Sequence, residues 1–508
     1  MPTHNKISLL LVMPPQLGLL RGFSTGLIAI ANYVTAHSHD VGVQILDLSE
    51  TPSDRLHAKI DPLIKETSGK LFIGITATTA SYQSALKTAR AFKEIAPDCV
   101  VVFGGHHVSA EPETVLRNHA GEVNFVVVGE GEISTVELLR SYPDVHAVPG
   151  LAYLKGEKFL QNYPAPMLER RTLDTLPITF RGNGLHSSPG KFEHVTYVSA
   201  RGCPLHCSFC SVANQSIRTK SPERVKRDVR ELVEMGFAKI AVEDNFFAHS
   251  FARTTELCTA LRELREEIGD IFSWDCQTRV ESMTVTGIVP LMESAGCEAV
   301  YIGVESLNRD TLLYLGKTVH PDRYLDQLLD IVVPRLFDSK INCYLNMQFG
   351  LPHEKGEHHD KTFEVLKRIG GLADSKGKVI TIFPQLFVIY PGTRHFKEGI
   401  EKGLFKDDVF ESFTKWEMEE EPIRMWLGEY FAHGVGGLPI GILEMNEVAD
   451  RKYVINPAKV AEIDATIRRI EDIQGLKVFH YGSYLTAGDS NRNDNLRTSK
   501  KKITAEDR

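Results

Sequence analysis

Cys203, Cys207 and Cys210 stand in the stretch RGCPLHCSFCSV at 201–212, three of the chain's eight cysteines within eight of its 508 positions. The spacing C-x3-C-x2-C can gather three thiolates around one metal centre, and it leaves the usual fourth corner without a ligand. A structural zinc site is normally closed by four Cys or His ligands, two of them from a second knuckle. Here Cys99, Cys258, Cys276, Cys297 and Cys343 are scattered singly, and His206 next to Cys207 could join only through a distorted turn. Iron–sulfur clusters are also held by thiolates, and one ligated by three of them leaves an iron open to bind something else. An open position implies chemistry rather than scaffolding.

The elements that must position this loop come in two alternating blocks. In the second block, strands are expected at 194–200, 238–242, 272–277, 299–304, 341–349 and 379–389, with helices between them. One helix is SPERVKRDVRELVEMG, with Ser221 as N-cap, Pro222 in its first turn and Val225, Val229, Leu232 and Val233 on one stripe. Six strand–helix units suggest a partial (β/α)6 barrel over 191–395, whose chemistry sits at the carboxyl ends of its strands. The three cysteines follow the first of those strands directly.

The first block, 1–145, carries short apolar strands at 8–13, 41–48, 71–76, 99–103 and 124–128 with helices at 26–35 and 84–95, the pattern of an α/β, doubly wound, Rossmann-like parallel sheet. Ligands bind such sheets beyond the carboxyl ends of the strands. Those ends read PPQLGLLRG, ITATTASY, FGGHHVSAEPE and VVGEGE. Residues 146–190 read as a linker, 396–487 as a small helical cap containing NPAKVAEIDATIRRIEDIQG, and the polar stretch 488–508 as a disordered tail.

Composition narrows the classes further. Hydrophobic residues are 42% and charged residues 24%, ordinary for a globular protein, and the net charge of −8 gives no sign of a nucleic-acid surface. The apolar run at 7–13 is broken by Pro14 and Pro15, too short for a bilayer and without a signal-peptide pattern. No membrane association and a reducing cytoplasm are therefore expected, where clustered cysteines act as ligands or catalysts.

RGCPLHCSFCS after a first barrel strand resembles the radical S-adenosylmethionine (SAM) superfamily. The resemblance implies that Cys203, Cys207 and Cys210 hold a [4Fe-4S] cluster whose fourth iron is chelated by SAM. One electron then cleaves SAM to methionine and a 5'-deoxyadenosyl radical that abstracts a substrate hydrogen. It also places Glu243 and Asp244 of AVEDNFF near the SAM amino group, Gln277 and Arg279 of DCQTRVE near its carboxylate or ribose, and Glu305 of VYIGVES in further polar contact. YPGT at 390–393 closes the last strand as in relatives.

The first block, with GITATT, VVFGGHHVSAEPET and VVVGEGE, resembles the cobalamin-binding subgroup of that superfamily. A hydroxyl residue, Thr76 or Thr78, and the Gly104-Gly105 pair would make room for the nucleotide tail, as glycine lets a bulky ligand approach the backbone. Gly129 and Glu130 belong to the same rim, and His106 is expected at the tail or in solvent. The D-x-H-x-x-G signature is absent after the first strand, so cobalt would have no histidine from that motif. The loop Thr78–Tyr82, with Ser81, is then the candidate for the lower face. Methylthiotransferases carry three more cluster cysteines in this region, where the chain has only Cys99.

What the resemblance implies is a cobalamin-dependent radical SAM enzyme, in first place a C-methyltransferase. A carbon without a lone pair cannot attack SAM, so a hydrogen is removed first and methylcobalamin supplies the methyl group. The expected partners are a small-molecule or peptide substrate and an electron donor such as flavodoxin or ferredoxin. Two other readings are a cyclase or rearrangement enzyme with the same cofactors, and a non-catalytic iron–sulfur or zinc protein.

Overall fold

Near-continuous apolar runs become strands buried on both faces. The computed structural model describes residues 7–15, 24–180, 194–404, 443–446 and 452–480. In it β1 (Ile7–Met13), β2 (Val41–Asp47), β3 (Lys70–Thr76), β4 (Val100–Gly104) and β5 (Phe125–Val127) pair in parallel in the order β2-β1-β3-β4-β5. Successive side chains point to opposite faces. Leu10, Ile73 and Phe103 therefore pack with Leu86 and Phe92 of the helix Tyr82–Ile95, while Leu9, Phe72 and Val102 pack with Ile28 and Val34 of the helix Thr25–His37. This is the expected doubly wound sheet, and its strands end at one edge.

The stretch read as a linker contributes to the same sheet. β6 (Leu151–Lys155) and β7 (Lys158–Gln161) add an antiparallel hairpin beside β5. Its two-residue turn is Gly156-Glu157, with Gly156 at φ +62°. The short Leu-Ala-Tyr-Leu run before that turn is the signal for the hairpin, outweighed in the sequence by the prolines and glycines around it.

The second block builds β8 (His194–Tyr197), the short pair β9 (Ala200–Arg201) and β10 (Arg218–Thr219), β11 (Lys239–Val242), β12 (Ser273–Thr278), β13 (Cys297–Glu305), β14 (Asn342–Phe349) and β15 (Ile380–Leu386). The main strands pair in parallel in chain order, β8-β11-β12-β13-β14-β15. One face carries Trp274, Cys276, Val300, Ile302, Leu345 and Ile382 into the core under the helices. The other face alternates with it and is half-exposed at Tyr301, Tyr344, Asn346, Phe383 and Gln385. That is the inner face of a partial barrel. The helix Pro222–Glu234 forms as expected, its Ser221 hydroxyl accepting from the Arg224 amide and Val225, Val229 and Leu232 buried.

Two further strands, β16 (Leu443–Asn446) and β17 (Lys452–Ile455), form an antiparallel pair. The helix Pro457–Glu471, capped by Asn456, buries Val460, Ile463, Ile467 and Ile470 in the barrel's own core, and β18 (Leu476–Val478) pairs parallel to β15. The segment read as a separate cap thus adds a seventh strand to the barrel sheet. Its Leu-Lys-Val run follows directly on the helix end and Gly475, so in the sequence it reads as the close of that helix. Residues 405–442 of that segment and the expected tail at 488–508 lie outside the described residues. Among the described residues no helix is long and apolar enough to cross a membrane.

At the edge of the first sheet Gly105 has φ +115°, and a β-carbon there would lie 2.5 Å from the Ala77 carbonyl oxygen, whereas one at Gly104 would meet nothing within 4 Å. Gly105→Ala should therefore cost about 1–3 kcal/mol, while Gly104→Ala stays within about 0.5 kcal/mol of the parent. Urea denaturation checks this, and equal midpoints for the two variants would contradict it.

Candidate active site

The chain leaves β8 at Tyr197 and turns into β9, which pairs antiparallel with β10 through Arg201 opposite Arg218. This ribbon pinches the base of the loop that carries Cys203, Cys207 and Cys210. Gly202 must be glycine: its φ is +84°, and a β-carbon would run into the Ser216 carbonyl. Inside the loop, the Asn214 amide donates to Leu205 and the Gln215 amide to the Cys203 carbonyl, both at 2.8 Å. Burial raises the Cys203 thiol and pushes the Cys210 thiol up to about 11, so loading a metal there must displace protons.

Ser208, between two of the cysteines, is the loop's anchor. Its amide donates to the Leu315 carbonyl at 2.9 Å and its hydroxyl to the Tyr314 carbonyl at 3.1 Å. The Ser208 hydroxyl has one proton, so His395 Nε2, 2.8 Å away, is the donor in their contact. Burial pushes the His395 imidazole down to about 4, which keeps it neutral, and its ring stacks on Tyr314 at 4.5 Å. Arg279 reaches in from the end of β12, with Nη1 3.5 Å from Cys207 Sγ and Nη2 donating to the Lys317 carbonyl at 2.6 Å. Among the described residues no three His, Cys, Asp or Glu side chains converge on a single ion. A four-iron cluster spreads its thiolates over separate irons, so three cysteines on one loop fit it without such convergence.

The structure separates the expected SAM residues. Glu243 lies on the cavity wall and accepts from Gln277 Nε2 at 3.0 Å; burial raises its carboxyl above the usual range and the Gln277 bond pulls it partly back. Asp244 points the other way and is fully enclosed. It accepts from the Ser199 and Ala200 amides at 2.6 and 2.8 Å and from the Ser199 hydroxyl. Its bonds hold the turn from β8 into the cysteine loop. Arg279 is occupied by Cys207, Lys317 and Glu281. Glu305, at φ +65°, is buried between Lys317 Nζ at 3.0 Å and Gln348 Nε2 at 2.9 Å. A non-glycine residue in the left-handed region is held there by its surroundings.

Between the sheet edge of the first domain and the mouth of the barrel lies a cavity of about 800 Å³. Thr76, Gly104, Gly105, His106, Gly129 and Glu130 line it from one side, and Ser199, Arg201, Gly202, Gln215, Arg218 and Glu243 from the other. The bare face of Gly104 is a cradle that a β-carbon would fill, and Gly105 packs against Ala77 instead. The volume is in the upper range for ligand sites and has room for a large ligand. Thr78, Ser81 and Tyr82 do not line it. The Thr78 and Ser81 hydroxyls meet each other at 3.0 Å in a turn, and Tyr82 is buried against the His107 ring at 4.2 Å.

Glu130 spans the two domains. It takes Arg218 Nη2 at 2.7 Å and Nη1 at 2.9 Å, approaches Arg201 Nη1 at 3.4 Å and accepts from the Leu168 amide. Arg201 also meets Glu132 at 2.8 Å. Burial opposes ionisation of Glu130, but the Arg218 bonds and both guanidinium charges outweigh it and hold the carboxyl below its ordinary range. Sequence reasoning missed Arg201, Arg218, Ser208 and His395. Only the position of Arg201 next to Gly202, and of His395 two residues after YPGT, marked any of them.

The comparisons with known proteins match this arrangement. The model of the B12 binding domain matches residues 20–139, and that of the radical SAM superfamily residues 197–366. An uncharacterised methyltransferase of Pyrococcus horikoshii is 28% identical over 425 residues, covering 80% of this chain and 86% of its own. The anaerobic magnesium-protoporphyrin IX monomethyl ester cyclase of Rubrivivax gelatinosus is 27% identical over 346 residues, covering 63% of this chain and 57% of its own. The radical SAM methyltransferase TsrM of Kitasatospora setae, solved with cobalamin and a [4Fe-4S] cluster bound, shares the fold with TM-score 0.63 at 18% identity, over 78% of this chain and 75% of that one. With a B12-binding domain ahead of a radical SAM barrel, the chain belongs to the cobalamin-binding radical SAM enzymes.

Proposed function

We propose that this enzyme transfers a methyl group to a carbon of its substrate, using the cavity between the two domains as its reaction chamber. The observation that carries the reading is that the bare face of Gly104 and the base of the cysteine loop at Gly202 open on the same cavity. A corrinoid on the first domain would then face a cluster on the barrel across the substrate. When bound, the two cofactors supply one-electron cleavage of SAM and a carrier for its methyl group.

The chain's own residues supply placement. Cys203, Cys207 and Cys210 would ligate the cluster, and the Arg279 guanidinium beside Cys207 offsets thiolate charge where water is scarce. Glu243, free on the wall apart from Gln277, is suited to an ammonium group such as that of SAM. Asp244 and Glu305 are positioning residues, since their oxygens are taken up by the chain itself. Thr76, Gly104, His106 and Gly129 would hold the corrinoid, and Glu130 acts on it only by fixing the domains. Closure between two rigid domains excludes water and holds the reacting groups near one another. The electron comes from a small carrier such as flavodoxin or ferredoxin in the cytoplasm, and the substrate is a small molecule or peptide.

Three measurements test this. Cys207→Ala, reconstituted anaerobically with iron and sulfide, should show no [4Fe-4S] absorption or EPR signal and no SAM cleavage; cleavage at the parent's rate would overturn the assignment. Gly104→Leu should fold normally but retain corrinoid at least about tenfold more weakly, read from the visible spectrum of purified protein. With SAM bearing a deuterated methyl group, the product should carry the label, and a cyclised, unlabelled product would instead favour the rearrangement reading.

A further inference from the structure

Below Glu243 and Gln277, the inner face of the barrel holds a carboxylate that the proposed reaction does not use. Asp275 lies on β12, two residues before Gln277 and so on the same face. Its neighbours in register are Ala241 on β11 and Ala299 on β13, whose methyl groups are too short to reach it. Asp275 is only 9% exposed, and no described residue gives it a hydrogen bond or ion pair. A buried carboxylate without a partner is costly unless something outside the chain completes it.

The charges around it do not balance. Glu243, Glu298 and Lys239 are the ionisable groups that act on Asp275, and Lys239 is engaged with Glu298 at 3.8 Å. Along this face of β11 to β13 three carboxylates therefore share one ammonium. Next to them stands an aromatic wall: Tyr301 and Tyr344, opposite one another in register, stack at 4.6 Å, and Phe383 meets Tyr301 edge-on at 5.8 Å. Both tyrosines are half-exposed on the inner face. An unpartnered carboxylate flanked by two short alanine side chains, with an aromatic pair on the neighbouring strands of the same face, suits a cation carried on an apolar body.

We propose that Asp275 anchors the substrate by a protonated amine, with the rest of the molecule lying along the Tyr301–Tyr344 wall. This rests on the reading of the barrel as the SAM-dependent site and adds the chemical class of the substrate. The register sets the amine deeper in the barrel than Glu243, which lines the cavity. Burial, with the charges of Glu243 and Glu298, pushes the Asp275 carboxyl up to about 7. A cation favours the ionised form, so amine affinity should rise between about pH 6 and pH 8.

The test uses the cluster- and corrinoid-loaded protein, with calorimetric titration of 2-phenylethylamine and its neutral counterpart 2-phenylethanol. The parent should prefer the amine by at least about tenfold, and Asp275→Asn should reduce that preference to about one, with SAM affinity unchanged. Ala299→Leu, which adds bulk next to the carboxylate and leaves its charge, should abolish the preference as well; it decides the matter if Asp275→Asn does not fold. No preference in the parent, a preference that survives in the variants, or a parallel loss of SAM binding in Asp275→Asn would overturn the proposal. If the parent itself fails to bind SAM or assemble the cluster, the underlying reading fails instead.

Discussion

The carboxylate of Glu130, shared between Arg218 and Arg201, is the contact on which the arrangement of this enzyme turns. Glu130 stands at the edge of the first sheet, after β5, while the two arginines face each other across the β9–β10 ribbon that closes the cysteine loop. One side chain therefore ties the edge of the first domain to the base of the loop beside it. Half-buried ion pairs of this kind contribute more to registry than to net stability. Registry matters here because reaction between groups on different domains falls steeply with misplacement of about 1 Å.

A second network holds the same loop from the far strands of the barrel. Ser208 is held by Leu315, Tyr314 and His395, and His395 stays neutral because its burial disfavours the imidazolium. Asp244 fixes the entry of the loop through three bonds to Ser199 and Ala200. The cysteines themselves are lightly constrained, while the residues before and between them are bonded to the barrel. A loop anchored in this way would keep its shape if its thiols gave up their protons to a metal.

Much of this was legible in the sequence. Alternating apolar runs located both sheets, and the three-cysteine spacing and Gly104-Gly105 pointed to a loop at the barrel mouth and to a sheet edge that lines the cavity. The hairpin at β6 and β7 and the strand β18 were not legible, because their runs are outweighed by the prolines and glycines around the first and by the helix end and Gly475 before the second. The loop Thr78–Tyr82 stands apart from the cavity for a related reason. Its hydroxyls look available in the sequence, but in the fold they satisfy one another and the tyrosine packs into the core.

Spacing by itself pointed to a three-thiolate metal centre with an open position, and the family resemblance of RGCPLHCSFCS supplied the class of chemistry; both are legible because ligand spacing and strand periodicity are local properties of the chain. Which carboxylate serves which purpose was decided only by the tertiary structure. Glu243 and Asp244 are neighbours in sequence, yet successive side chains turn to opposite sides, and one faces the cavity while the other is consumed by backbone amides 44 and 45 residues away. His395 meets Ser208 across 187 residues. Asp275 is conspicuous only once two alanines from neighbouring strands are seen to leave it unpaired. Hydrogen-bond satisfaction is a property of the folded environment, and no local pattern encodes it.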